Sequence, residues 1–146
     1  MIRFIINVAV ISLLLWVWLF RTPITTLCVG DQRLQLETAF KPYTRKKGLQ
    51  GVESLTDREG MLFLYDDPRQ PSFWMYKVLI PLDIAWLANN GRIVAVDSME
   101  LCDTHKDDCP SYQSPEPISA VVEVRSGWFE DHGVAVGDRF HECEVD

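Results

Sequence analysis

Seventeen consecutive residues without a charge, Phe4–Phe20, stand near the N-terminus. As an α-helix this segment would measure roughly 25 Å, the short end of the range that crosses a bilayer. Arg3 and Arg21 flank it, and Trp16 and Trp18 lie towards one end, where their rings favour the membrane interface. The pattern predicts a single N-terminal transmembrane helix that contacts the membrane through residues 4–20.

A cleaved signal peptide is the alternative for the same residues, because it also combines a short charged start with an apolar run. Signal peptidase needs small residues three positions and one position before the cut, and no Ala-x-Ala pattern follows Phe20. Cys28 also lacks the small preceding residue that lipoprotein processing requires. We favour a retained anchor at residues 1–21, followed by a globular domain at residues 22–146.

The cysteines indicate on which side of the membrane the domain lies. Arginines flank the apolar segment on both sides, so the positive-inside rule gives no direction. Four cysteines in a small domain behind an apolar leader are typical of an oxidising compartment. We therefore expect an inner (cytoplasmic) membrane protein whose C-terminal domain is on the exported, periplasmic side.

The charge balance excludes one class of partner. The chain has 14 Lys and Arg residues against 21 Asp and Glu residues, a net charge of −7. A nucleic-acid-binding domain normally carries a basic stripe, and none is visible, so no nucleic-acid partner is expected. A domain this acidic is not expected to lie on anionic lipid either.

Short apolar runs alternate with turn residues beyond the apolar segment, which is typical of a β-rich domain. Gly30-Asp31 predicts one hairpin turn, and Asn89-Asn90-Gly91 predicts another of type I′, since Asn-Gly supplies positive φ angles. Short helices are expected within 41–51 and 126–133. The predicted strands are Thr26–Val29, Leu34–Glu37, Met61–Tyr65, Ser72–Ile80, Asp83–Ala88, Arg92–Val96, Ile118–Arg125 and Arg139–Val145.

Several motifs follow one another in an order that resembles an uncharacterised family. They are Gly48-Leu49, Glu59-Gly60-Met61-Leu62-Phe63, Phe73-Trp74-Met75, Ile80-Pro81-Leu82-Asp83-Ile84-Ala85, Val122-Glu123-Val124, Gly127 and Gly137-Asp138. Over about Thr26–Val145 the chain resembles the domain-of-unknown-function 192 family, also called uncharacterised protein family 0127. The resemblance implies a mostly β (α+β) fold, a small partly open β-barrel with one or two short helices, and no established activity. The chain has Tyr76-Lys77-Val78 where the family commonly carries Lys-Asn-Thr, which puts a polar site there in doubt.

The four cysteines allow a metal site or disulfides. Cys102 and Cys109 bracket His105 and several carboxylates, a set of ligands that suits zinc or copper. This loop lacks the second ligand pair of strong zinc sites, so we favour a Cys102–Cys109 disulfide and expect neither metal nor cofactor. Cys28 and Cys143 form a second disulfide if the first and last strands are neighbours. A copper site at His141 and Cys143 is a weaker alternative.

Asp83 and Glu123 are the candidate catalytic residues. A carboxylate in an apolar strand is costly to bury alone, so it is paired, exposed or functionally tuned. Two such groups in one pocket would suit the acid/base pair of a glycosidase. The alternative is structural: Asp83 caps a turn, and Glu123 pairs with Lys77 or an arginine, or faces water. We favour that alternative.

The aromatic residues indicate both core and surface. Trp86 is expected in the core of a domain of this size. Trp74 and Tyr76 share a face of their predicted strand and, with Lys77 and Asp83, form the candidate binding site. Of the neighbouring Trp128 and Phe129, at least one is expected to pack on the sheet, although an exposed pair would offer a contact to a partner.

These observations lead to two functional hypotheses. The favoured one is a non-enzymatic binding or accessory module that is anchored in the membrane. Its partner would be a membrane protein, which would make it a small subunit of a larger complex, or a small ligand. The alternative is a hydrolase that uses Asp83 and Glu123 on envelope or sugar substrates. The two differ in whether these carboxylates share one concave pocket.

Overall fold

The computed structural model describes residues 22–103 and 105–144, and the predicted anchor at residues 1–21 lies outside this part. The fold is mostly β. The described elements are β1 (Ile24–Val29), β2 (Gln32–Ala39), α1 (Pro42–Lys47), β3 (Glu59–Arg69), β4 (Leu82–Leu87), β5 (Ile93–Met99), a 3₁₀ turn (Lys106–Asp108), β6 (Ile118–Arg125), α2 (Trp128–Asp131) and β7 (His141–Glu142). Among these residues, no helix has both the length and the apolar character needed to cross a membrane.

The strands form one curved sheet, a half-barrel, in the order β5-β4-β6-β3-β2-β1-β7. The pair β2–β3 is parallel, and the other neighbours are antiparallel. Backbone atoms of the segment before β7 reach the start of β5, where the Ile93 amide donates to the Asp138 carbonyl at 2.8 Å. The Phe140 amide donates to the Gly91 carbonyl at 2.9 Å. The two edges of the sheet are therefore linked at one corner.

Side chains from the two faces of the sheet form two cores. The core that contains Trp128 is called the inner core, and the core that contains Trp86 is called the outer core. Because alternate residues of a strand point to opposite faces, Val122 and Val124 join the inner core and Val121 joins the outer core. Trp128 covers the inner core and is fully buried. Trp86 belongs to the outer core, as the sequence predicts, and its indole nitrogen donates to Asp97 at 2.7 Å. Position 123 faces the outer core.

Both predicted hairpins form, with one difference in the turn. Gly30 has φ +54° between β1 and β2. In the β4–β5 loop, only Gly91 has a positive φ, of +78°, so the type I′ prediction is wrong. A type I turn, followed by Gly91 in the left-handed region, replaces it, and the Gly91 amide donates to Ala88 at 2.9 Å. Glycine is required here, because a Cβ would lie 2.1 Å from the Phe140 carbonyl oxygen.

One predicted strand is wrong, and another is too long. Residues 72–80 make only isolated bridges, Phe73 with Tyr112 and Tyr76 with Cys102. Phe73, Met75, Val78 and Ile80 instead pack in the outer core from a coil. The prolines at positions 71 and 81 bound this coil. The last predicted strand shortens to β7, because Arg139 bridges to Arg92 at the opposite edge of the sheet.

Candidate functional site

A pocket of about 240 Å³ opens on the outer face of the sheet, between α1 and the coil at residues 72–78. The coil, two strands and the helix with the loop after it supply its walls. Its lining residues are Arg45, Lys46, Lys47, Gly48, Leu49, Gln50, Phe63, Tyr65, Ser72, Phe73, Trp74, Val78 and Glu123.

Glu123 lies in the middle of β6, opposite Met61 of β3 and Ile84 of β4. It is 5% exposed, and no hydrogen bond or ion pair joins its carboxyl group to another described residue. In the described part, every side-chain nitrogen or oxygen that is fully enclosed has a hydrogen-bond partner. The carboxyl oxygens of Glu123 have none, so they are not fully enclosed, and they border the open space of the pocket that Glu123 lines. Burial raises the pKa of Glu123 to about 8. The structural alternative is therefore wrong for this residue, since it is neither ion-paired nor facing bulk water.

Tyr65 contributes a neutral phenol to the pocket wall. Desolvation by burial raises its pKa to about 12, and the nearby carboxyl of Glu123 acts in the same direction against two arginines. The guanidinium groups of Arg45 and Arg69 lie 5.0 Å and 5.5 Å from the centre of its ring. The hydroxyl therefore stays a hydrogen-bond donor at physiological pH.

Cations surround one side of the opening because the last turn of α1 carries Arg45, Lys46 and Lys47. Positive side chains are favourable there, at the negative end of the helix dipole. Arg45 is fixed in place, since its Nη1 donates to the backbone carbonyls of Phe40 and Leu64. The pocket thus combines a buried carboxyl with a cationic rim. In sequence, these cations are 76 or more positions from Glu123, and no local pattern connects them.

Aromatic rings form the opposite wall. Phe73 meets Phe63 and Trp86 edge-to-face, at centroid distances of 4.9 Å and 5.4 Å. Trp74 is 37% exposed and lies 6.1 Å from the ring of Tyr76. The structure therefore brings together three of the four residues predicted to bind, because Lys77 Nζ lies 5.3 Å from the centre of the Tyr76 ring.

Asp83 lies elsewhere and has a structural role. It is buried, its Oδ1 accepts from Ser98 Oγ at 2.9 Å, and its Oδ2 accepts from the Gly127 amide at 2.9 Å. Its partner on β6 is Val124, so its side chain points to the opposite face of the sheet from Glu123. Asp83 therefore belongs neither to the binding surface nor to a pair with Glu123, and the glycosidase-like arrangement does not form.

Lys77 occupies the position where the chain departs from the family pattern. Its φ is +61°, a left-handed conformation that Asn tolerates better than Lys. Its carbonyl accepts from the Gly51 amide at 3.1 Å, which ties the coil to the loop after α1. Val78, the next residue, lines the pocket with an apolar side chain.

Both disulfides form. Cys102–Cys109 closes the loop around the 3₁₀ turn, which confirms the favoured prediction. Cys28–Cys143 joins β1 to the residue after β7, which agrees with the second pairing and leaves Cys143 no thiolate for a copper site. Within residues 22–103 and 105–144, no cluster of three or more His, Cys, Asp or Glu side chains is arranged to hold a metal.

Trp128 and Phe129 both belong to the inner core. Trp128 is fully buried, its Nε1 donates to the Asp57 carbonyl at 2.8 Å, and its ring stacks on His132 at 4.5 Å. Phe129 meets it edge-to-face at 5.3 Å. The expectation that at least one packs on the sheet is confirmed, and a contact surface made by this pair is excluded.

The sheet and the pocket define a small β half-barrel domain with an outer pocket over a buried carboxyl group. The chain belongs to the DUF192 family, described as "Uncharacterized ACR", whose family model matches residues 25–141. This match confirms the family resemblance that the sequence motifs indicate. A search of curated proteins finds no significant match.

Two solved structures are similar to this chain. A proposed transcription regulator from Sinorhizobium meliloti 1021 has a TM-score of 0.75 and 26% identity, over 83% of this chain and 95% of that one. A protein of unknown function from Novosphingobium aromaticivorans DSM 12444 has a TM-score of 0.68 and 28% identity, over 81% of this chain and 84% of that one. They support the half-barrel fold and assign it no reaction.

Proposed function

We propose that this protein is an exported, membrane-tethered binding module whose outer pocket takes a small ligand with an apolar body and an anionic group. The observation that carries the proposal is Glu123, a buried carboxyl without a described partner that faces a pocket with aromatic walls and a cationic rim. Ligand sites are commonly apolar concavities with a few convergent polar groups.

The chemistry of the pocket selects the ligand class. With a pKa near 8, Glu123 is mostly protonated at neutral pH and donates a hydrogen bond to an acceptor oxygen. Arg45, Lys46 and Lys47 at the rim complement a carboxylate or a phosphate. The rings of Phe73 and Trp74 provide a surface for an apolar or aromatic body. Glu123 lacks the second carboxylate of a glycosidase, so binding rather than hydrolysis follows from this set.

The compartment and the tether are supported by the sequence together with the disulfides. The apolar segment Phe4–Phe20 has the length of a short membrane helix, and no signal-peptidase motif follows it. All four cysteines are paired, which fits an oxidising compartment. We propose the inner (cytoplasmic) membrane as the location, with the domain on the periplasmic side.

The proposal includes a protein partner at the exposed surface beside the pocket. Trp74, Tyr76 and Lys77 stand there. Two exposed leucines belong to the same part of the chain: Leu79 lies in the same coil, and Leu101 precedes the residue that bridges to Tyr76. A surface of this composition suits contact with a membrane protein, in a complex of which this chain is a small subunit. A role in transcription, named for the Sinorhizobium relative, is not extended to this chain, because a net charge of −7 without an extended basic stripe is not typical of a nucleic-acid-binding domain.

Titration of the full chain in detergent with benzoate and phenyl phosphate, followed by amide NMR shifts, tests the pocket. We expect saturable shifts around Gly48, Val78 and Glu123, with affinity about tenfold weaker at pH 9 than at pH 6 because Glu123 ionises. Glu123→Gln keeps a donor and should remove this pH dependence. Trp74→Ala should weaken binding, while the matched surface variant Leu101→Ala should not.

Two results would overturn the pocket proposal. One is the absence of saturable shifts at the lining residues with either probe. The other is an affinity that falls equally with pH in the wild type and in Glu123→Gln, since the rim cations or the probes would then account for it. Benzamide, which lacks the negative charge, separates the contribution of the rim from that of the aromatic wall.

A further inference from the structure

We propose that one end of the half-barrel rests on the lipid headgroups. This N-terminal face consists of Phe40, Lys41, Tyr43 and Leu64. In this arrangement the apolar side chains enter the membrane interface, and the cations of α1 contact anionic lipid phosphates. The proposal rests on the membrane tether of the proposed function. The four residues of the face do not line the ligand pocket, although the cations of α1 border both.

The N-terminal face is apolar, exposed and continuous. Phe40, Tyr43 and Leu64 are 46%, 58% and 38% exposed. Phe40 and Leu64 line the same cavity of about 770 Å³. Lys41 connects Phe40 with Tyr43, since its Nζ lies 5.5 Å from the ring centre of Phe40 and 5.9 Å from that of Tyr43. Clustered exposed rings beside lysine and arginine are typical of interfacial surfaces.

The path of the chain places this face at the membrane. The Pro23 carbonyl accepts from the Thr38 amide at 2.7 Å, and Thr38 is two residues before Phe40. Thr22 lies at the same end, where its Oγ1 donates to Glu37 at 3.0 Å. Arg21 alone separates Thr22 from the apolar segment, and one extended residue spans at most about 3.6 Å. A bilayer that holds the segment therefore lies next to this end of the domain.

Charge complementarity selects anionic lipid as the occupant. The stretch from residue 41 to residue 51 carries Lys41, Arg45, Lys46 and Lys47 and no acidic residue, although the chain as a whole is acidic. The nearest acids along β3, Asp66 and Asp67, follow the apolar part of that strand. Asp66 lines the same cavity as Phe40 and Leu64, and Glu37 lies at the same end, so the attraction to anionic lipid comes from Lys41 and the cations of α1.

The full chain in lipid nanodiscs provides the test, with a nitroxide on the lipid headgroup and amide relaxation as the signal. We expect broadening at residues 40–47 and at Leu64 several times that at Gly30 and Asp31, which form the turn at the opposite end of β1 and β2. The contrast should increase when phosphatidylglycerol is added to phosphatidylcholine. The double variant Phe40→Ser, Tyr43→Ser should reduce it to the level of the distant sites, and Lys41→Glu should remove its dependence on anionic lipid.

A matched control is the double variant Leu79→Ser, Leu101→Ser, which should leave the broadening unchanged. Equal broadening at the face and at the distant sites would overturn the proposal. So would contacts at this face that depend on protein concentration and persist without anionic lipid, because a second copy or a protein would then occupy it. The nanodisc sample is the full chain, with residues 1–21 verified by its intact mass, so this test judges the face. The mass of the protein from its native membranes judges the tether.

Discussion

Glu123 is a buried acid whose pKa is raised, and the proposed chemistry of the pocket depends on it. It occupies a central strand between two strands whose facing residues are apolar, and the described residues supply no cation to pair with it. An ionised carboxylate is costly in such surroundings, which is why its pKa rises rather than falls. A neutral acid at the base of a pocket can donate to a ligand at pH 7, where an ordinary glutamate can only accept.

The raised pKa of Glu123 predicts a specific dependence of stability on pH. Because the folded pKa of about 8 exceeds the unfolded value of 4.5, this group stabilises the fold fully below pH 4.5, and that contribution is lost as the pH rises to 8. The loss between pH 5 and pH 9 is roughly 4 kcal/mol. Urea unfolding of the wild type and Glu123→Gln across this range measures it. If the free energy of unfolding changes with pH in the same way in both proteins, the raised pKa of Glu123 is contradicted.

The sequence identifies some individual residues of the core and the site, but not the residues that surround them. A carboxylate inside the apolar run of β6 marks Glu123 without structural knowledge, and Trp86 follows from size and domain length alone. The partners of Glu123 do not follow, since α1 and the coil reach its pocket from distant parts of the chain. The sequence suggests that Asp83 caps a turn. It does not predict that Asp83 lies on the inner face, because that location depends on the register between β4 and β6.

Secondary structure elements follow their local patterns except where tertiary contacts override them. The prediction for β6 matches its observed bounds, because a long apolar run in a buried strand has few alternatives. Residues 72–80 are also apolar, but they form a coil. Lys77 has a positive φ, which interrupts an extended strand, and the coil makes only single bridges to residues 102 and 112. Apolar composition predicts their burial correctly and their conformation wrongly, because a coil can bury side chains as well as a strand can.

The two disulfides should differ in their effect on stability. Cys28–Cys143 spans 115 positions and Cys102–Cys109 spans 7, so the first constrains the unfolded chain far more. In the chain-entropy model, removal costs about 5 kcal/mol for the long loop and about 2.5 kcal/mol for the short one. Urea unfolding of Cys28→Ser, Cys143→Ser and of Cys102→Ser, Cys109→Ser compares them. A larger loss from the short loop would show that local strain or packing, and not loop closure, dominates.

At the scale of the molecule, the proposed contact with lipid would give the domain one orientation, with the N-terminal face towards the membrane. The chain leaves the domain beside Phe40, and the Cys28–Cys143 bridge fastens the last residues to the strand that begins next to this exit. Trp74 and Leu101 remain available for a partner on an exposed surface beside the pocket. Sequence alone predicted the β-rich class and the family, but the curvature of the sheet comes from pairings that no local pattern specifies.

The intact mass of the protein from its native membranes tests the tether and the compartment together. We expect the full chain of 16.8 kDa, lighter by about 4 Da than the same sample after reduction, because two disulfides remove four hydrogens. A chain cleaved after the apolar segment would lack the residues that are proposed to hold the domain at the bilayer. This result would contradict the tether even if both disulfides were intact. A full-length chain with four free thiols would contradict export, since an oxidising compartment would have closed both bridges.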